Sequence, residues 1–208
     1  ELGHAFAGYM AMRSQPIAAY YSESTDIAEI HSMAMEQFAY PYAEKFFGEQ
    51  ADKYRFAHLQ DALTFVPFGV AVDEFQHICY SNPDMTPKER TLAWKKLEEE
   101  TYMPWRKYEA DDFFDRGGYW YHKLHIYLYP FYYINYTLTT MGAMEFKTKD
   151  RKDHEDAWKD YLNLCKCGGS MSYLETLRYA HLMNPFEQGT VEKAIELAKN
   201  DLLNSKYM

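Results

Sequence analysis

The chain is short of basic side chains: 22 Lys and Arg face 31 Asp and Glu among its 208 residues, a formal net charge of −9 with histidine neutral. Nucleic-acid binding needs clustered cations that displace counterions, and anionic membrane surfaces select for the same cations, so neither nucleic acid nor membrane is an expected partner. Long apolar runs are missing too. The uncharged stretch from Ile126 to Ile134 contains Pro130 and four tyrosines, and it falls far short of the roughly 18 apolar residues that span a bilayer. Cysteine is scarce: Cys79, Cys165 and Cys167 form an odd set with one pair too close in sequence to close a useful loop, which points to a reducing compartment. Cys165-Lys166-Cys167 has no second Cys or His pair at zinc-finger spacing, so it reads as buried or incidental thiols. No run of alternating β-branched residues is long enough for a strand, and there is neither an internal repeat nor a low-complexity tract. The chain opens on Glu1 with no initiator Met and no signal-peptide pattern, so it is expected to be cut from a longer protein.

What is abundant is aromatic side chains, with 20 Tyr, 13 Phe and 4 Trp. Most supply core area in a helical protein, while tyrosine also lines polar clefts. Apolar residues recur at three- and four-residue spacing almost throughout, so the chain reads as all-α and of a size for one domain. A first helix spans Glu1 to about Met12 before Pro16, and a second starts from a cap among Ser24, Thr25 and Asp26 and runs to Tyr40. A third runs from about Gln50 to Tyr80 with a bend at Pro67 and Gly69, and Thr86-Pro87 opens a fourth that reaches about Tyr102. The segment from Pro104 to Trp120, including Asp111, Asp112, Gly117 and Gly118, reads as a loop. Helical spacing then covers His125 to about Phe146, and Lys147 to Lys152 reads as a charged turn. Further helices are predicted at His154 to Cys165, from a Ser170 cap through Tyr179, and at Thr190 to about Leu203.

Glu1 and His4 stand in the spacing of His-Glu-x-x-His, without the first His. In that motif two imidazoles four apart on one helical face bind zinc, and the Glu between them is the general base that acts on the attacking water. Alone, Glu-x-x-His is common helix surface. Glu29 alters the weighting, because it lies 25 residues after His4 on the second predicted helix. A carboxylate there completes a two-His, one-Glu ligand set that leaves the fourth zinc position open. Glu36 lies two turns further on the same face, where bonding a ligand and facing solvent suit it equally. His31 points elsewhere on the helix and reads as packing or surface.

At these residues the chain resembles the C-terminal part of a zinc peptidase of the oligoendopeptidase F and thimet oligopeptidase family. Glu1-Leu2-Gly3-His4-Ala5-Phe6 resembles the family's His-Glu-x-Gly-His stretch without its first His, and Glu29-Ile30-His31-Ser32 resembles its Glu-x-x-Ser ligand segment. The run from His125-Ile126 through Pro130-Phe131-Tyr132-Tyr133 to Tyr136 is very similar to the signature of the oligoendopeptidase F branch. Gly168-Gly169 and Asn184-Pro185-Phe186-Glu187 also sit where that branch has similar elements, so the resemblance covers essentially the whole chain. It implies an all-α, multi-helix C-terminal half of a gluzincin-type catalytic domain over residues 1–208. It further implies a zinc-dependent endopeptidase acting on short oligopeptides in the cytoplasm, with one Zn2+ per complete active site. His4 and Glu29 are then the metal ligands present, and Glu1 is the catalytic base.

Peptide hydrolysis builds a tetrahedral oxyanion, and one hydrogen-bond donor aimed at it is worth roughly 2.7–4 kcal/mol. The resemblance implies this role for His125 and for one or two of the tyrosines after it. Tyr136 is the first choice, with Tyr133 three residues before it on one helical face; Tyr127, Tyr129 and Tyr132 read as packing. Gly117 and Gly118 resemble the family's flexible substrate-facing loop, and with His122 they are the candidate substrate-binding residues. The expected partners are short peptide substrates and the missing upstream part of the same enzyme. With two of three ligands the chain alone is expected to bind zinc poorly and to be inactive. The alternative reading is a catalytically incomplete helical module that binds peptides or is purely structural.

Overall fold

The computed structural model describes residues 1–108 and 112–208, so Asp111 of the predicted loop lies outside the described residues. Among these residues every regular element is helical, and none of the helices is long and apolar enough to cross a membrane. The chain divides into two compact units, Glu1–Leu63 with Leu138–Met208, and Thr64–Thr137.

The first unit begins with α1 (Leu2–Ser14), which stops where Gln15, forced into extended backbone by Pro16, can no longer continue it. It continues with α2 (Thr25–Phe38), the short α3 (Ala43–Phe47) and the start of α4 (Ala51–Ser81). After the second unit come most of α7 (Ile134–Lys152), then α8 (His154–Cys167), α9 (Tyr173–Tyr179) and α10 (Thr190–Leu203). Ile27, Ile30, Phe38, Phe146, Tyr161 and Leu164 form its main core, and Ala7, Ala34 and Ala157 within the same cluster leave room for the helices to approach. Gly168 closes α8 with φ 48°, and a Cβ on it would stand 2.0 Å from the Tyr20 carbonyl oxygen.

Two predicted boundaries in this unit are corrected. Lys147 to Lys152 is not a turn, since α7 runs through it. Its charges have partners on other helices: Lys149 pairs with Asp160 of α8, and Lys147 and Arg151 both pair with Asp201 of α10. The helix ends only where Asp153 caps α8 by accepting from the Asp156 amide at 3.1 Å. The cap of α9 is Ser172 rather than Ser170, because Ser172 and Glu175 form a reciprocal capping box while the Ser170 hydroxyl donates to the Cys167 carbonyl at 2.7 Å.

In the second unit α4 continues unbroken through Pro67 to Ser81. Thr86 and Glu89 form the capping box that opens α5 (Pro87–Lys96), and a wider π turn carries the chain from Leu97 to Tyr102. Part of the predicted loop is itself helical, with a π turn at Phe114–Gly118 and a 3-10 turn at Tyr119–His122. The predicted helix from His125 to Phe146 is interrupted. Short α6 (Leu124–Leu128) ends before Pro130, and α7 starts at Ile134. In the gap Phe131 takes φ 62° and donates its amide to Gln76 Oε1 at 2.8 Å, so a buried side chain of α4 fixes the break. Phe68, Phe75, Trp94, Trp120 and Tyr133 form the core of this unit.

Candidate active site

The first unit holds the predicted metal-ligand pair. α1 and α2 meet backbone to backbone at Gly3, where a Cβ would stand 2.3 Å from the His31 carbonyl oxygen. Only a residue without a side chain permits that approach. It brings His4 Nε2 to 3.2 Å from Glu29 Oε2, both side chains half-buried. Ser32, one turn after Glu29, donates its hydroxyl to the same carboxylate oxygen at 2.8 Å, which fixes the carboxylate against rotation. Two ligands of a tetrahedral zinc with bonds of about 2.0–2.1 Å lie about 3.3 Å apart. An imidazole nitrogen and a carboxylate oxygen at 3.2 Å therefore have the chemistry and the separation to hold two corners of such a site. Among the described residues no group of three His, Cys, Asp or Glu side chains converges in this way. Glu1 is the residue that precedes α1; it is exposed, and its carbonyl accepts from the Ala5 amide at 3.1 Å.

The neighbours on α2 have other tasks. Glu36 accepts a hydrogen bond from His58 Nε2 at 2.9 Å, and His58 Nδ1 meets the Tyr40 hydroxyl at 2.7 Å. That answers the open question about Glu36: it orients His58 of α4. His31 is fully buried beside the Cys165 thiol and edge-on to Tyr161, and its burial, with the charge of His4 adding to it, lowers its pKa to about 3. It is a packing residue, as expected. Cys165 and Cys167 are buried thiols whose pKa values burial raises to about 12 and about 11.

In the second unit His125, Tyr133 and Tyr136 come together as one group of rings. The His125 ring lies 5.0 Å from Tyr133 and 5.8 Å from Tyr136, and the two tyrosines are 5.4 Å apart. Phe65 of α4 packs on both tyrosines, at 5.6 and 6.4 Å. The pairing arises differently from the expectation of one helical face, because Tyr133 precedes α7 and only Tyr136 lies in it. Tyr132 joins the same group, its ring parallel to His125 at 6.1 Å.

Gly117 and Gly118 are buried and close-packed. Gly117 has φ 95°, and a Cβ on it would lie 2.5 Å from the Thr91 carbonyl oxygen; on Gly118 it would lie 2.5 Å from the Phe113 ring. These glycines let the turn settle onto α5. His122 packs edge-on to Tyr119 at 4.3 Å, and burial together with the charge of Lys123 pushes its imidazole below the usual range. The residues that sequence reasoning missed are Gly3 as the contact point, Ser32 as the orienting donor, and Gln76 as the clamp on the helix break. Gly3 and Ser32 carried a signal, Gly3 as a glycine inside a helical pattern and Ser32 as the last residue of the Glu-x-x-Ser stretch, whereas Gln76 had none.

The model of peptidase family M3 matches residues 1–196. Three solved structures are similar over nearly the whole chain. One described as oligoendopeptidase F is 47% identical with a TM-score of 0.93, covering 99% of this chain and 36% of its own. PZ peptidase A with an inhibitor is 45% identical with a TM-score of 0.93, at 99% and 36% coverage. An oligoendopeptidase F from Bacillus anthracis str. Ames is 41% identical with a TM-score of 0.81, at 98% and 33% coverage. The chain thus spans about a third of the length of the solved relatives it matches. No curated protein matches it.

Proposed function

Because the chain belongs to peptidase family M3, we propose that it carries the C-terminal part of a peptidase catalytic domain, in a whole protein that hydrolyses short oligopeptides with one zinc ion. The observation that carries this reading is the convergence of His4 and Glu29 from two helices at 3.2 Å, with Ser32 bonded to the carboxylate. His4 and Glu29 are the two zinc ligands of this chain, and a histidine upstream of Glu1 is the third. When bound, zinc supplies a Lewis acid that polarises the scissile carbonyl and makes water a better nucleophile near neutral pH. Glu1 takes the proton from the attacking water and returns it to the leaving amine. Tyr136, with Tyr133 and His125, donates to the oxyanion that develops on the carbonyl oxygen. Gly117, Gly118 and His122 serve peptide binding. All three cysteines are free, which supports placement in a reducing cytoplasm.

The alternative, a helical module that binds peptides without cleaving them, draws its support from the two-ligand set. Zinc analysis of the whole protein separates the two readings. The peptidase reading expects about one zinc per chain, lost together with activity in His4→Ala and Glu29→Ala, because each removes one of three protein ligands. It expects Glu1→Gln to abolish hydrolysis while keeping the zinc, since that residue acts on water rather than on the metal. A folded, metal-free whole protein leaves only the binding module. Stoichiometric zinc in Glu29→Ala shows that another carboxylate is the ligand.

A further inference from the structure

His125 and the two tyrosines of the second unit lie on opposite sides of one tight turn. The helix that carries His125, α6, ends at Leu128, and Tyr133 and Tyr136 follow Phe131. Across Tyr129-Pro130-Phe131-Tyr132 the Tyr132 amide donates to the Tyr129 carbonyl at 3.1 Å, and Phe131 has φ 62°. Proline in the second place and a positive φ in the third make the type II pattern, in which the third place ordinarily belongs to glycine. Phenylalanine is strained there, because its Cβ crowds the backbone in the left-handed region. Such a residue persists only where its surroundings hold it. Three residues of α4 do so. The Phe131 ring packs against His77 at 4.9 Å and Tyr80 at 5.2 Å, contacts that fix the side chain and leave the backbone free to turn. The backbone is fixed by Gln76, 1% exposed, whose Oε1 accepts from the Phe131 amide at 2.8 Å. Its Nε2 donates to the Val72 carbonyl at 3.2 Å, so both ends of the side-chain amide are bonded and the oxygen is the end presented to the turn.

We propose that Gln76 is a positioning residue for the peptidase reaction: by holding Phe131 at positive φ it sets where the Tyr133 and Tyr136 hydroxyls stand relative to the His125 imidazole. The proposal rests on the reading that these three side chains donate to the oxyanion. Released at Phe131, the turn lets the two sides of the group shift against each other, and a displacement of about 1 Å costs on the order of 100-fold in rate. Contacts to an oxyanion are made in the transition state, so the loss falls on kcat rather than on KM.

The test is steady-state hydrolysis of a short internally quenched peptide by the whole protein. Gln76→Met, which keeps the length of the side chain and removes the acceptor, should lower kcat by about 10- to 100-fold, with KM within about twofold and zinc content unchanged. Phe131→Pro breaks the same bond from the other side and forbids the positive φ, at a residue that is 38% exposed, and should give the same loss. It carries the test by itself where Gln76→Met brings the melting temperature below that of the assay. Adding Phe131→Gly to Gln76→Met should raise kcat at least about fivefold over Gln76→Met alone, since glycine takes the third place of the turn without a clamp. A residue that only filled the core would gain nothing from that second change. Normal kcat in Gln76→Met or Phe131→Pro, a loss confined to KM, or no gain in the double variant overturns the proposal. Loss of kcat in Tyr136→Phe beside normal kcat in both clamp variants overturns it alone, whereas near-normal kcat in Tyr136→Phe and Tyr133→Phe alike overturns the oxyanion reading and the proposal with it.

Discussion

In the first unit the pair His4 and Glu29 sits where two regular helices touch at Gly3, whereas in the second unit His125, Tyr133 and Tyr136 sit in a chain segment broken at Pro130 and are gathered by ring contacts. The first arrangement depends on a missing side chain and on charge. The second depends on shape: Phe65 packs on both tyrosines and Gln76 holds the Phe131 amide. The same contrast extends to the surroundings. The first unit buries Asp160 with Lys149 and Lys147 with Asp201, and the core of the second is mostly aromatic, with Arg106 and Lys123 lying over its rings. A site held by charge and close approach should respond to pH and to a single added methyl group. One held by rings should tolerate both and respond to loss of a hydroxyl only in function.

The largest contrast should come from Tyr136→Phe, which keeps the ring and removes the donor. We expect kcat and kcat/KM of the whole protein to fall together by about 10²–10³ with zinc content and melting temperature unchanged. A lowered melting temperature with near-normal kcat would make Tyr136 a packing residue and pass the donor role to Tyr133 or His125. Next in size is the pH response of the first unit. Burial raises the Glu145 pKa to about 7 against the opposing Met183 amide and Lys149 charge. A carboxyl with a raised folded pKa stabilises the fold fully below its ordinary pKa, near 4.5, and loses that contribution as pH rises through about 7. Melting temperatures between about pH 4.5 and 7 should therefore show up to about 3 kcal/mol of decline that Glu145→Gln removes. An unchanged pH profile in Glu145→Gln would place the dependence elsewhere.

Gly3→Ala should act on both structure and site, because its Cβ would meet a carbonyl oxygen at 2.3 Å and must push α1 from α2. The expected cost is about 1–3 kcal/mol, with zinc affinity lowered as His4 moves from Glu29. Normal zinc content in a Gly3→Ala protein would show that the close approach is dispensable. The smallest effect belongs to the second unit. Thr86→Ala removes the hydroxyl half of the α5 capping box and should cost about 1 kcal/mol. Hydrogen exchange should quicken around residues 86–96 without altering zinc content, and a change in zinc content would break the separation between the two regions.

The helical class, the last helix from Thr190 to Leu203, and the packing role of His31 and the buried thiols could be read from spacing and residue type, because these depend on local periodicity and burial of apolar faces. The spacing of Glu1, His4 and Glu29 likewise named the candidate base and the two candidate ligands, since residues three or four apart share one face of a helix. Tertiary structure decided the rest. Lys147 to Lys152 reads as a turn until Asp160 and Asp201 arrive from other helices to balance its charge. The helix break at Pro130 is fixed by Gln76, a residue 54 positions earlier whose side chain has no local reason to be buried. Glu36 finds His58, and Glu29 finds His4, only because α2 packs against its neighbours. Local sequence sets which face of a helix a side chain occupies, while the partner on that face comes from elsewhere in the chain, and pairing free energy exists only once packing has brought the two together.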